Sequence, residues 1–280
     1  MKKIYLLALA SVVMTFGLTA CSNDAEEIAR SENEIRLISE ITHSRVTALD
    51  YQSTQIAIGQ QVGVTIAGAQ GELQNVAWNV GKGGSLTNTG NPAYWGDDPI
   101  TITAYHPYRQ TWTGTNHPFS VSTDQSTDAG YSNSDLLWTS TVASSADVPV
   151  NLTFVHLLSK INVTLSSDDI EDLSESTISI CGSKVTTTFN PLTGSVSGAS
   201  DIQEIKASVT TEESYTASAI IVPQTIEKGT KFIKITRGSK DFFYTLPDDM
   251  SYLSGHSYHY RLKVEDSNIE SPVEGEETEW

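Results

Sequence analysis

Apolar and polar residues alternate with a period of two over short segments of this chain, and these segments recur about every ten residues. Successive side chains of a β-strand point to opposite faces of a sheet, so this alternation predicts half-buried strands. Glycine-rich and proline-containing turns, such as Gly81–Gly84 and Gly90–Pro92, separate the segments. In the first half the predicted strands cover Glu34–Thr42, Gln55–Ile66, Leu73–Val80, Ile100–Tyr105, Asp135–Thr139 and Val148–Leu165.

The second half continues the same pattern, most clearly in its last apolar segment. There Tyr258, Tyr260, Leu262 and Val264 fall on one face of a single predicted strand. Short strands and turns at this spacing predict an all-β protein, and we expect two tandem antiparallel β-sandwiches with transthyretin-like, Greek-key connections. The predicted strands of this half cover Thr177–Phe189, Gly194–Val196, Ser218–Ile221, Lys231–Thr236, Lys240–Thr245 and Ser257–Val264.

An acidic, serine-rich break at residues 166–176 divides the two sets of strands. It predicts a boundary between an N-terminal sandwich over residues 34–165 and a C-terminal sandwich over residues 166–280. Residues 265–280 carry seven acidic groups and only three large apolar side chains. This composition predicts an acidic tail that is disordered on its own.

The first twenty residues have the layout of an export signal. Lys2 and Lys3 precede an apolar run from Ile4 to Ala20, which is typical of a secretory signal peptide. A short transmembrane helix is the alternative, but about 17 apolar residues barely span a bilayer and no stop-transfer charges follow. The ending Leu18–Cys21 resembles a bacterial lipobox, which implies cleavage before Cys21, lipidation of that cysteine and a flexible tether over residues 21–33.

The charge balance restricts the partners that the protein can bind. The sequence has 17 basic and 34 acidic residues and a net charge of −17, and removal of residues 1–20 takes away two lysines and no acid. A polyanionic surface repels phosphate backbones, so we expect no nucleic-acid binding. With Cys21 lipidated, Cys181 has no partner for an internal disulfide, and its apolar neighbours predict a buried, unreactive side chain.

No group of residues has the spacing of a catalytic, cofactor or metal site, so we expect neither an enzyme nor a cofactor. The six histidines lie on separate predicted strands and loops. One window places Asp124, Ser126, Asp128 and Asp135 at positions 1, 3, 5 and 12, as in a calcium loop. Its sixth position holds Ala129 instead of the required glycine, which favours a hydrated polar loop.

Aromatic residues are concentrated between residues 94 and 138. Among them, Tyr94, Trp95 and Trp112 are candidates for stacking on the rings of a bound sugar. Several of these aromatics alternate within predicted strands, which favours packing at one end of a sandwich. Sugar binding stays open as the alternative.

Five segments, taken in their order along the chain, resemble the fimbrillin family, the two-domain β-sandwich pilins of type V pili. The resemblance spans nearly all of residues 34–264 and is carried by Thr101–Tyr108, Ser134–Trp138, Leu152–Lys160, Val185–Gly194 and Ile221–Thr225. It implies a lipoprotein precursor that is carried to the outer membrane, is anchored there through Cys21 and joins other pilus subunits in a surface fimbrium.

The resemblance also implies assembly by strand exchange. In the family an extracellular Arg-specific protease cuts after the first strand, and a C-terminal strand of a neighbouring subunit fills the groove that the lost strand leaves. Such β-augmentation derives affinity from backbone hydrogen bonds and specificity from pockets for alternate side chains. Here the displaced strand would be Glu34–Thr42, with Ile35, Leu37 and Ile41 on its apolar face.

The resemblance places the protease cut after Arg45, although Arg30 and Arg36 are competing sites. The stretch where the family usually has its donor strand departs from the pattern, because it contains Pro272 and many glutamates. Proline removes a ladder donor, and charges resist burial in a groove. This departure predicts a poor donor and favours a tip or accessory subunit. The candidate donor side chains are Tyr258, Tyr260, Leu262 and Val264 of the last apolar strand.

We expect a structural or tip subunit of a fimbrium that contributes to adhesion to a host or bacterial surface ligand. The alternative is a surface lipoprotein that binds glycans without polymerising. The two hypotheses differ in the first strand, which a pilin must release and a simple binder keeps.

Overall fold

The computed structural model describes residues 33–42, 55–145, 147, 149–168, 173–210, 215–265 and 269–280. Most of these residues lie in β-strands, which confirms the predicted all-β class. No helix within the described ranges is long and apolar enough to cross a membrane. The elements of the first half are β1 (Leu37–Ile41), β2 (Gln61–Ala67), β3 (Leu73–Val80), a 3-10 turn (Lys82–Gly84), β4 (Ser85–Asn88), β5 (Ile100–His106), β6 (His117–Ser120), the helix α1 (Asp128–Ser132), β7 (Leu137–Ala143) and β8 (Val150–His156).

The described elements of the second half are all strands. Their bounds are β9 (Ser159–Ser166), β10 (Ser176–Asn190), β11 (Ser195–Lys206), β12 (Ser208–Thr210), β13 (Thr216–Ile221), β14 (Gln224–Ile226), β15 (Lys231–Arg237), β16 (Lys240–Thr245), β17 (Met250–Tyr252), β18 (His256–Val264) and β19 (Ile269–Glu279).

Seven strands of the first half close into a barrel in the order β1-β4-β3-β2-β5-β7-β8. Buried apolar side chains from all seven strands fill its interior. Closure leaves this sheet without an open edge, so the β-structure predicted for the first half takes the form of a closed barrel. Closure depends on β1, which pairs in parallel with β8 and antiparallel with β4. No local alternation in the sequence indicates a pairing between segments so far apart.

The second half is a two-layer arrangement around one apolar core. One sheet has the order β11-β10-β15-β16 with β6 added on β10, and the other has the order β12-β13-β9-β18-β19. Side chains from both sheets, such as Ile233 and Leu262, belong to the same buried cluster, as in a sandwich. The predicted antiparallel pairing needs a correction here too, because β9 and β18 run parallel.

The change from one half to the other falls between β8 and β9, because β8 belongs to the barrel and β9 to a sheet of the second half. The boundary predicted after residue 165 stays a prediction, and nearly all of β9 lies before it. Leu157 and Leu158 at the change of sheet are buried, so the sequence has no polar signal there. In addition, β6 leaves the first half and pairs with β10.

The acidic tail is not a disordered extension in this structure. Its residues Ile269–Glu279 form β19, an antiparallel strand on β18. The tail takes this form because β18 offers an edge of backbone donors and acceptors, a partner that composition alone does not reveal.

Candidate functional site

The strand β1 is held in the barrel mainly by its neighbour β8. All five residues of β1 pair in parallel register with Val150–Phe154, whereas only Leu37 and Ile38 pair with β4. Before β1 begins, the backbone N–H of Val150 donates to the carbonyl oxygen of Arg36 at 2.8 Å. The strand is therefore bonded along its whole length on one side and only near its start on the other.

One face of β1 inserts into the barrel. Ile35, Leu37 and Ile41 are each only 2% exposed and belong to the barrel core, while Glu40 points to solvent. This is the face that the alternation in the sequence predicts. Full burial of a Leu or Ile side chain stabilises a fold by about 1.5–3 kcal/mol, so these side chains together stabilise the seating of β1 by several kcal/mol.

Removing β1 from the barrel opens a groove between β4 and β8. The groove would be lined by side chains that are now buried, among them Leu86, Leu152 and Phe154. Its two walls would carry backbone groups that have lost their partners. An apolar groove between two unpaired strand edges favours the binding of a new strand.

Ser39 and Gly84 form a contact in this region that the sequence did not reveal. The hydroxyl of Ser39, which is buried, donates to the carbonyl oxygen of Gly84 at 3.0 Å. The glycine-rich segment before β4 is recognisable as a turn, but its contact with β1 joins residues far apart in the sequence. No local pattern indicates it.

The residues predicted for processing lie largely outside the described part of the chain. Cys21, Arg30 and Arg45 all fall in ranges whose structure is not described. Of the three candidate arginines, Arg36 is described, and it lies directly before β1 with its carbonyl bonded to Val150. The last described residue after β1 is Thr42.

The predicted donor side chains lie on an interior strand. Tyr258, Tyr260, Leu262 and Val264 are all buried on β18, which pairs with β9 on one side and β19 on the other. Withdrawal of β18 would divide its sheet and expose the core of the second half. This placement argues against β18 as a strand for donation and leaves β19 as the terminal strand of the sheet.

The strand β19 lies at an edge, since it stands last in the order of its sheet. Its ladder with β18 has two register shifts, one on each side of the Arg261–Val273 pair. Pro272 lies in this stretch and has no N–H to donate. Bulges, proline and charged residues are features that natural edge strands use to resist pairing with other strands.

The aromatic residues proposed to stack on sugars are not surface platforms. Trp95 is 2% exposed and belongs to the barrel core. Tyr94 is half-buried, and its backbone exchanges hydrogen bonds of 2.9 and 3.0 Å with Gln70. Their burial disfavours the alternative of sugar stacking, which needs exposed ring faces.

Trp112 is likewise 7% exposed and lies in the core of the second half. Its ring stacks on Tyr105 with centroids 5.4 Å apart. A cavity of about 100 Å³ lies beside these rings and reaches Pro191 and Leu192 in the second half. The aromatic residues therefore connect the barrel to the second half, which is the packing role that the sequence favoured.

The calcium-like window does not converge on a cation. The Oδ1 of Asp124 accepts hydrogen bonds from Ser126, and these bonds lower the pKa of Asp124. Asp135 is buried and accepts a hydrogen bond from His156 at 2.8 Å. Within the described ranges, no group of three or more His, Cys, Asp or Glu residues is arranged to hold a metal ion.

Cys181 is half-buried, and burial raises the pKa of its thiol.

Comparison with known proteins identifies related sequences and folds. Residues 44–280 match the family described as Fimbrillin-like, so the match begins after β1. No curated protein is significantly similar to the sequence.

Solved structures of similar fold come from Bacteroides species. Two carry the description "putative cell adhesion protein": one from Bacteroides ovatus ATCC 8483, with 20% identity over 88% of this chain and 97% of the other and a TM-score of 0.67, and one from Bacteroides uniformis ATCC 8492, with 20% identity over 88% and 99% and a TM-score of 0.66. A fimbrial protein from Bacteroides ovatus ATCC 8483 has 15% identity over 84% of this chain and 49% of the other, with a TM-score of 0.51. At identities this low, the structural similarity shows a shared fold alone.

Proposed function

The chain belongs to the fimbrillin-like family, and on this premise we propose that it is a strand-accepting subunit of a fimbrium. In this proposal β1 is a temporary occupant of the barrel, and a strand from a neighbouring subunit replaces it during assembly. The carrying observation is that β1 closes the barrel with its buried Leu37 and Ile41, and that the buried Ile35 just before the strand belongs to the same core. The strand also stands first among the described strands, so a single cut after it frees it from the rest of the barrel.

The position of β1 in the chain makes this exchange physically simple. The described strand that follows β1 is β2, which begins at Gln61, so a cut soon after Thr42 separates β1 from all the other described strands. An incoming strand would recover the backbone hydrogen bonds along Val150–Phe154 and refill the apolar slot. The backbone hydrogen bonds and the apolar contacts of the barrel would then be formed again.

Among the candidate arginines, we propose Arg45 as the cleavage site. The peptide group of Arg36 is bonded to Val150 in the β1–β8 ladder, and proteases require an extended segment that is not already paired. Arg45 lies three residues beyond Thr42, the last described residue after β1. A cut after Arg45 leaves the whole apolar face of β1 on the released side.

We further propose export as a lipoprotein that is anchored in the outer membrane through Cys21 and reaches the surface fimbrium with other pilus subunits. The export signal before Cys21 and the family membership support this location. Because β19 is an edge strand interrupted by Pro272, the chain is suited to accept a strand and poorly suited to donate one. This asymmetry fits a tip or accessory position, from which the subunit contributes to adhesion.

Digestion of the folded protein with an Arg-specific protease tests the proposal. We expect one early cut after Arg45, visible by intact mass, and a cleaved protein that stays monomeric on sizing but takes up a labelled peptide of residues 33–42. The matched variants are Arg45→Gln, which should resist the early cut and take up no peptide, and Arg36→Gln, which should behave as the wild type. A protein that is cut after Arg45 and takes up no peptide would contradict the proposal.

A further inference from the structure

Trp280 makes a contact that none of the roles discussed above uses. Its indole stacks on the imidazole of His156, with ring centroids 3.8 Å apart and planes inclined by 13°. Its backbone N–H donates to the carbonyl oxygen of Gly255 at 2.7 Å. His156 ends β8 of the barrel, whereas Trp280 follows β19 directly. The contact therefore joins the tail of the second half to the barrel.

The surface under the indole is rigid and polar. His156 and Asp135 share a hydrogen bond of 2.8 Å between side chains that are each 2% exposed. Lys160 is also buried, and its Nζ lies 5.6 Å from the centroid of the Trp280 ring. The buried carboxylate of Asp135 holds the flat imidazole of His156 in place, and the ammonium of Lys160 lies within cation–π distance. Together these groups form a specific binding surface for one aromatic ring.

The rest of the tail is held by fewer regular interactions with β18. The β18–β19 ladder is interrupted by two register shifts, and Pro272 donates no hydrogen bond. Near its end, Glu277 accepts a hydrogen bond of 3.2 Å from the hydroxyl of Tyr258. The Trp280–His156 contact thus directly follows β19, whose hydrogen-bond ladder with β18 is irregular in its middle part.

From this geometry we propose that Trp280 is a latch that keeps β19 paired with β18 and fastens the tail to the barrel. With the indole seated on His156, β19 covers the edge of β18 and is withheld from other subunits. The inference deepens the proposed function and rests on it, because the latch would explain why the subunit accepts a strand without donating its own. Departure of the indole would free β19 and expose the edge of β18.

Hydrogen exchange of the full chain tests the latch directly. In Trp280→Ala, we expect the amides of residues 269–279 to exchange about 10-fold faster or more, since loss of an aromatic contact of about 1.4 kcal/mol changes an opening equilibrium about tenfold. The barrel amides of β2 and β5 should keep their wild-type rates. Trp280→Phe retains a ring for stacking and should restore most of the protection of β19.

Trp138→Ala is the matched control, because it removes another partly buried indole that packs at the second half. It should leave the exchange of residues 269–279 unchanged. Unchanged exchange of β19 in Trp280→Ala would overturn the latch, as would an equal acceleration throughout the barrel. Uptake of the labelled 33–42 peptide by the cleaved protein tests the proposed function separately. If β19 exchanges fast in Trp280→Ala but the cleaved protein takes up no peptide, the latch is upheld and the proposal of strand acceptance is overturned.

Discussion

Gly84 lies against the backbone of Ser39, and a Cβ atom placed on Gly84 would overlap the carbonyl oxygen of Ser39. Gly84 also has a positive φ of 75°, and its carbonyl oxygen accepts a hydrogen bond of 3.0 Å from the hydroxyl of Ser39. The turn before β4 therefore supports β1 at a point where no side chain fits. Whatever strand occupies this place must make the same close approach.

The first prediction concerns this contact. Gly84→Ala should lower the free energy of unfolding of the barrel by about 1–3 kcal/mol more than Gly83→Ala, because a new methyl group in a filled space forces the backbone apart. Gly83 is the matched control, since its φ is 67° and a Cβ there would meet nothing within 4 Å. Urea unfolding of the two variants measures the difference. Equal losses would show that the Gly84–Ser39 approach does not support β1.

The second prediction concerns the buried face of β1. Leu37→Ala should lower the free energy of unfolding by about 2–5 kcal/mol, because the cavity left in the barrel core cannot fully collapse. It should also speed the release of β1 after cleavage. Glu40→Ala, on the exposed face of the same strand, should cost less than about 1 kcal/mol. Denaturant unfolding and the dissociation rate of the cut segment are the measurements, and similar effects of both variants would contradict the assigned faces.

The third prediction concerns alkaline pH. Burial raises the pKa of Tyr105 to about 12, above about 10 in an unfolded chain. The stability that this group contributes is therefore complete below pH about 10 and is lost as the pH rises from about 10 to about 12. Between about pH 9 and about pH 11.5, Tyr105→Phe should lose about 2 kcal/mol less stability than the wild type. Parallel curves for the two proteins would contradict the burial of this phenol. The measurement is urea unfolding at each pH.

Local patterns in the sequence predict much of the strand content. The bounds expected for Leu73–Val80 and Lys240–Thr245 agree with β3 and β16, because in both segments apolar residues lie next to glycine-containing turns. The inward face of β1 follows from the same alternation. These features depend on neighbouring residues alone.

Features that depend on distant partners could not be predicted in this way. Closure of the barrel requires β1 to meet β8, and the folding of the tail requires the edge of β18. Trp95 and Trp112 are candidates for sugar stacking in the sequence because they belong to a concentration of aromatic residues, yet each fills a core assembled from several strands. Burial of this kind is a tertiary property, and a single sequence does not indicate which aromatic residues acquire it.

The most direct test of the central claim is to lock β1 in place. Glu40 and Thr153 lie opposite each other in the β1–β8 register, and their side chains are joined by a hydrogen bond of 2.8 Å. Glu40→Cys with Thr153→Cys, in a chain carrying Cys21→Ser and Cys181→Ser, should form a reversible disulfide across this pair. After Arg-specific cleavage, the labelled 33–42 peptide should enter the barrel of the reduced protein, be excluded from the oxidised protein and enter again when reductant is added. Equal uptake by the oxidised and reduced proteins, or no uptake by either, would contradict the account that β1 is a replaceable strand.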